Sequence, residues 1–330
     1  MRKKRLAFVM MVFICMMTAG CQTAALAKIP QDASVLAVAN ARDNTISFMN
    51  IETGERLATW KPDFPFGRML LLSDRHRVLL YGKNNEQAHV LDMNTGRETA
   101  LWSTGPGIVN AVLSPGEQAV YLADKRRGSV RIFTASGNET GEIKVGPSPF
   151  TMVSDPAQRR LYVMDLQDAK LREIDLDTNQ IVRTSPLNES PMGALLAADR
   201  NELWVGGHGR GDLPEQDVSV LSSETGEKKA SIHAPSMPVD FVRTDRDTLY
   251  VLSHGSNTLR RIAMAKGKVT GELALGANPF GMVTDGRYLY IASYESNQIV
   301  VVDPQTMRII KTLRTGDGPI QMFVREGEGK

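Results

Sequence analysis

A proline returns through this chain at a nearly constant interval. Pro65, Pro106, Pro149, Pro191, Pro238, Pro279 and Pro319 are separated by 41, 43, 42, 47, 41 and 40 residues. A period of this length, with each unit reading as strands, marks a radial array whose units bury their faces against one another. Each unit does read that way. After the proline comes a short apolar strand such as "PFGMVTD", then a tight polar turn such as Ser73-Asp74-Arg75 or Asp285-Gly286-Arg287. A second strand follows ("LYVLS", "LYIAS"), then a polar loop, a third strand ("AHVLDM", "QIVVVD"), a turn such as Thr95-Gly96, and a fourth strand ("RIIKTLRTG"). Runs of this length, rich in β-branched and aromatic residues between turn signals, are strands. No stretch after the leader reads as an amphipathic helix.

Four antiparallel strands per unit make a propeller blade. Six units are complete, and the first, Val35 to Trp60, lacks its inner strand, while Ile320 to Arg325 is left over at the C-terminal end. Giving that strand to the first blade closes the ring and pairs edges that would otherwise be open. The expectation is an all-β, seven-bladed β-propeller over 35–325, closed by its C-terminal strand, with a tail at 326–330.

The first residues read as a leader. Arg2, Lys3, Lys4 and Arg5 precede an apolar run from Leu6 to Met17, and Thr18-Ala19-Gly20-Cys21 follows. This is a secretory signal over 1–20, too short for a comfortable membrane span. Its end resembles a bacterial lipobox, with Thr18 where leucine is usual. That resemblance implies diacylglycerol on Cys21, a lipidated N-terminus and linker over 21–34, and a location outside the cytoplasm. The alternative is an ordinary signal cut after Ala25 or Ala27. The anchoring membrane is either the outer leaflet of the cell membrane or an outer membrane. The other cysteine, Cys15, leaves with the signal, so the processed chain has no disulfide and no cysteine-based metal or haem motif. No cofactor is expected. The chain carries +2 and its leader holds four cations and no acid, leaving the processed protein at −2. Such a balance argues against a broad electrostatic grip on nucleic acid. A monomer is expected.

"LYVLSHGSNTL" and "LYIASYESNQIVVVDPQTMRIIKTLRTGDGP" resemble the YVTN, or YncE-like, propeller repeat, in which a Tyr-Val strand, a loop Asn, an Ile/Val-Asp strand and Thr-Gly lead to Gly-x-x-Pro. The resemblance spans all seven units and is most degenerate at "YGKNNEQ". It implies the fold. For function it implies secreted or surface-associated proteins, mostly of unassigned role, that resemble the non-catalytic scaffolds of periplasmic electron-transfer proteins. Some related propellers are lactonases, and one relative is linked to single-stranded DNA binding. A fold this widely shared does not decide function.

Departures from the repeat are therefore the informative positions. Counted from the second strand, one rim position reads Ala41, Lys83, Lys125, Leu166, His208, His254 and Tyr294 around the ring. The fifth unit also carries the longest interval, through the insertion "GGHGRGDLPEQD" with His208, Arg210 and Asp212. Loops on a rigid scaffold are where binding resides. The positions two residues after the prolines, near the channel, include Gly67, Thr151, Gly193, Asp240, Gly281 and Gln321. The candidate binding face is thus His208, Arg210, Asp212, His254, Tyr294, Lys125 and Asp240. The bland alternatives are hydrogen-bonded loop histidines, an Asp240 that binds a neighbouring blade's amide, and a solvated Lys125-Arg126-Arg127 run. Asp92, Asp175 and Asp303 recur at one blade position and read as turn-amide acceptors. No Gly-x-Ser-x-Gly, His-Glu-x-x-His or P-loop is present. The expected function is a membrane-anchored scaffold, non-catalytic, that holds a protein or small ligand on the proline-loop face. The alternatives are a metal-dependent lactonase-like hydrolase using Asn110 and Asp240, whose metal site the residues leave unknown, and single-stranded DNA binding.

Overall fold

The computed structural model describes residues 25–276 and 278–329. The leader and Cys21 lie outside these residues. Seven four-stranded antiparallel sheets stand around a central channel. Blade 1 joins Val35–Asn40, Thr45–Asn50 and Arg56–Trp60 to the C-terminal strand Pro319–Arg325, which takes the inner position by pairing with Val35–Asn40. The other inner strands are Arg68–Leu71, Ile108–Leu113, Pro149–Asp155, Pro191–Ala197, Pro238–Arg243 and Pro279–Thr284, for blades 2 to 7 in order. The ring closes as the repeat count requires.

Burial along a blade follows its place in the array. In blade 7 the second strand, Leu289–Ser293, is buried at every residue. In blade 6 the outermost strand, Lys268–Ala274, alternates exposed and half-buried residues. A second strand has a neighbouring blade on each face, so its apolar run is continuous; an outer strand meets solvent, so its polarity alternates. The apolar residues separate into seven clusters, each built from two adjacent blades. No blade has a core of its own.

The repeated motif residues are the joints between blades. Tyr250 of blade 6 donates its hydroxyl to the Pro304 carbonyl of blade 7 at 2.7 Å, and Tyr162 of blade 4 donates to Ser223 of blade 5 at 3.3 Å. The loop asparagines Asn44, Asn257 and Asn297 have φ of 57°, 51° and 57°. Asparagine tolerates this left-handed conformation, and its amide oxygen remains free to accept. It does so from the chain entering the next blade: Phe66, Asn278 and Gly318 donate backbone N–H groups at 3.1, 2.9 and 2.9 Å. Asp92, Asp175 and Asp303 accept amides of their own turns, from Thr95, Thr178 and Gln305.

Two faces result. The upper face carries the loops between second and third strands and the proline loops. The lower face carries the remaining turns, and the N-terminal segment is fastened to it. Leu26 and Ile29 donate backbone N–H groups to Gly96 and Met93 of blade 2, both at 2.8 Å. Trp60 donates its indole N–H to the Ala27 carbonyl at 2.7 Å, and Arg325 reaches the Ala33 carbonyl at 3.0 Å.

Candidate functional site

The strand registers define one channel-lining residue per blade. Opposite Ala39, Tyr81, Ala123, Met164, Gly206, Leu252 and Ala292 stand Gln321, Arg68, Asn110, Thr151, Gly193, Asp240 and Gly281. Counting from the prolines finds five of the seven. It misses in blade 2, where it selects Gly67 instead of Arg68, and in blade 3, where Ile108 holds the ladder place that proline holds in blades 4 to 7. All seven line a cavity of about 220 Å³.

Six of the seven serve the join to the next blade. Asn110 donates to the Phe150 carbonyl at 2.9 Å and Thr151 to the Met192 carbonyl at 2.5 Å. Asp240 accepts the Met282 N–H at 2.6 Å, and Gln321 accepts the Met69 N–H at 2.8 Å. At Gly193 and Gly281 the next blade's backbone comes so close that a Cβ would stand 2.1 Å from the Val239 oxygen and 2.8 Å from the Ile320 oxygen. Asp240 also accepts the Phe241 N–H, and Asn110 the Ala111 N–H. The two residues considered for a hydrolase metal site are thus engaged with backbone. Among the described residues no group of three or more His, Cys, Asp or Glu is placed to hold a metal ion. Burial pushes the Asp240 carboxyl up to about 6, against the lowering effect of its two amide donors and of Arg68.

Above this ring, blades 5 to 7 place a row of rings along the channel mouth, and blade 1 adds Arg42 at its end. His208 and His254 stack with centroids 5.7 Å apart. His254 meets Phe280 edge-on at 5.7 Å, and Phe280 lies 5.9 Å from Tyr294. The Arg42 guanidinium covers Tyr294 at 4.4 Å and ion-pairs with Glu295 at 2.9 Å. His208, His254, Phe280 and Tyr294 are each half-buried, so one edge of the row is open. His254 Nδ1 lies 3.0 Å from the Pro279 carbonyl, a contact in which Nδ1 donates, so that in the neutral tautomer the lone pair is on Nε2. Burial, and secondarily the neighbouring His254, holds His208 below the usual histidine range.

The sequence candidates therefore divide. His208, His254 and Tyr294 share one wall, and Asp240 lies in the channel beneath. Lys125 is exposed on the rim of blade 3. The blade 5 insertion folds as a small hairpin, Gly209–Arg210 against Leu213–Pro214. Arg210 is 3.9 Å from Glu189, Asp212 is exposed, and Leu213 at the hairpin turn is 68% exposed. Phe280 was not singled out from the sequence, although "PF" recurs at Pro65-Phe66, Pro149-Phe150 and Pro279-Phe280. A larger hollow of about 600 Å³ opens on the lower face between blades 7 and 1, lined by groups of both signs, including Glu52, Asp285, Arg287 and Lys311. A single ring, Tyr288, lines it, and none of its lining residues lines the channel.

Fold and site together define a seven-bladed propeller with a ring-walled funnel on its upper face. No protein-family model matches the chain. Protein NirF of Pseudomonas aeruginosa is 20% identical over 279 residues, which are 75% of this chain and 71% of that protein. A functionally unknown protein from Desulfotomaculum acetoxidans superposes with a TM-score of 0.74 at 12% identity, covering 90% of this chain and 100% of that one. The dihydro-heme d1 dehydrogenase NirN, in complex with DHE, superposes with a TM-score of 0.68 at 14% identity, covering 90% and 67%. At these identities the structural likenesses establish the propeller fold.

Proposed function

We propose that this protein is an extracytoplasmic ligand-binding propeller that holds a flat, apolar-bodied ligand against the ring wall of its upper face. The observation that carries this reading is the continuous row His208–His254–Phe280–Tyr294, half-open over a channel. Three blades contribute rings at equivalent places, where the other blades have Ala41, Lys83, Lys125 and Leu166. Half-buried rings at a concave mouth offer apolar contact and ring stacking to a planar ligand.

A second reading names the ligand as a heme-type macrocycle. Two points support it: the dihydro-heme d1 enzyme NirN shares the fold, and His254 has the orientation of a metal-ligating imidazole. A backbone carbonyl on Nδ1 fixes the tautomer and presents Nε2 as donor, as metal-bound histidines usually do. In this reading His254 would hold the macrocycle's iron through Nε2 and Phe280 would give it apolar contact. The channel is smaller than the roughly 300–1,000 Å³ of pockets that enclose drug-sized ligands, so it admits only a substituent of such a molecule.

The test is a titration of the full chain with hemin and with the neutral 2-naphthamide, each against wild type, Phe280→Ala and His254→Ala. Phe280→Ala is expected to weaken both more than tenfold, and His254→Ala to abolish the shift of the hemin absorbance band. Affinities unchanged in Phe280→Ala would overturn the ring-wall reading. Binding of naphthamide without hemin would overturn the macrocycle alone.

We propose further that Cys21 carries the lipid its lipobox-like context implies. Cys21 lies four residues before Ala25, and Leu26 is tied to blade 2 on the lower face. Four extended residues span at most about 14 Å. A lipid on Cys21 therefore holds the lower face toward the membrane and turns the funnel away from it. Cys21→Ser is expected to release the protein from membranes; its retention there would refute the anchor.

A further inference from the structure

Arg68 breaks the rule that the channel ring otherwise follows. Its six counterparts bind the next blade or make room for its backbone. Arg68 of blade 2 does neither. Its guanidinium passes blade 3 and lies over the Phe150 ring of blade 4, 5.3 Å from the centroid. Among the described residues no carboxylate comes within ion-pair distance of it, and no hydrogen-bond acceptor is seated on it. Asp240, the one acid among the described residues that line the channel, is near enough to feel the Arg68 charge but makes no ion pair with it, and has an oxygen on each of two backbone amides. Tyr81, directly across the strand pair, is fully buried, and burial pushes its phenol up to about 12, so it is no counter-ion. A half-buried guanidinium with its planar donor fork free, seated on an aromatic ring in a narrow channel, is arranged for an anion.

We infer that Arg68 is the receptor for a carboxylate on the ligand, which enters the channel while the ligand's flat body stays on the ring wall. One guanidinium matches a single negative charge. A phosphate dianion would bring surplus charge to a confined site that already contains Asp240, at a desolvation cost that nothing in the channel offsets. The inference rests on the ring-wall reading and adds polarity and orientation to it: acid end inward, apolar body outward.

The test compares 2-naphthoate with its neutral isostere 2-naphthamide by calorimetry on the full chain. In wild type the carboxylate is expected to bind at least tenfold more tightly than the amide. In Arg68→Gln the two affinities are expected to converge on that of the amide, which itself changes less than twofold. Arg68→Lys should restore part of the preference, since it keeps the charge and loses the fork. Equal binding of the two probes to wild type, or a preference that survives Arg68→Gln, overturns the carboxylate assignment and leaves the ring wall standing. Failure of both probes to bind wild type overturns both. The wild-type ratio decides the matter even if a variant does not fold. A matching preference for naphthyl phosphate over naphthoate would show that the site takes oxyanions without regard to charge, and would overturn the choice of carboxylate.

Discussion

The two halves of the upper face hold the same loops at the same places and use them differently. In blades 3 and 4 the second strand ends in a buried aspartate, Asp124 or Asp165, which ties down its own loop. Arg131, 1% exposed, spans Asp124 and Glu139, and Arg172 engages Asp168. In blades 6 and 7 the same place holds Ser253 and Ser293, and the following residues are His254 and Tyr294. One half satisfies its charges internally and is closed. The other keeps an equivalent arginine in blade 6, Arg260 on Glu272 at 3.1 Å, but has no buried aspartate at the strand end and leaves rings on the rim. Affinity for a ligand comes from groups not already engaged, so the half with the stronger internal interactions is the half less able to bind.

Substitutions that separate stability from binding test this contrast. The largest stability effect is expected from Arg131→Ala. It strands the buried Asp124 carboxylate and should destabilise by about 3–5 kcal/mol, read by denaturant unfolding, with little change in naphthamide affinity. A loss below about 1 kcal/mol would mean the closed half is not held by its ion pairs. His254→Ala should do the reverse. Loss of the Pro279 hydrogen bond costs only about 1 kcal/mol, while ligand affinity falls more than tenfold. Equal effects of the two substitutions on binding would erase the distinction between the halves.

A smaller effect concerns pH. The folded Asp240 carboxyl, at about 6, is above its unfolded value of 3.8, so its favourable contribution is fully present below pH 3.8 and is lost as pH rises through 6. The carboxyl opens on the channel, which reduces the effect to about 1 kcal/mol, or about 2–4 °C in Tm. The melting temperature of wild type relative to Asp240→Asn should therefore fall between pH 4 and pH 7; a rise would show the opposite linkage. The smallest effect is expected at Lys125. Its side chain is exposed on the closed half, so Lys125→Ala should stay within about 0.5 kcal/mol in stability and twofold in affinity. A larger loss of binding would extend the site across the face.

Much of this was legible in the chain itself. The proline spacing, the turn chemistry and the unpaired "IQMFVR" set the number of blades, the order of strands and the closure, because each follows from local periodicity and a count of edges. Tyr250 and Asn257 belong to the motif because they join neighbouring blades, and a repeat necessarily repeats its joints. The rim alignment of His208, His254 and Tyr294 was readable for the same reason. The place of Arg68 was not. The spacing from proline to ring residue changes in blades 2 and 3, and only the ladder register restores the equivalence. Nor could the sequence tell that His254 faces Phe280 while Lys125 stands apart, since His254 and Phe280 lie 26 positions apart on neighbouring blades and meet only when those blades pack. The repeat determined the scaffold because the scaffold is made of local and nearest-neighbour interactions. Which side chains converge on the channel was decided by the tertiary structure, because that convergence is a property of the whole circle.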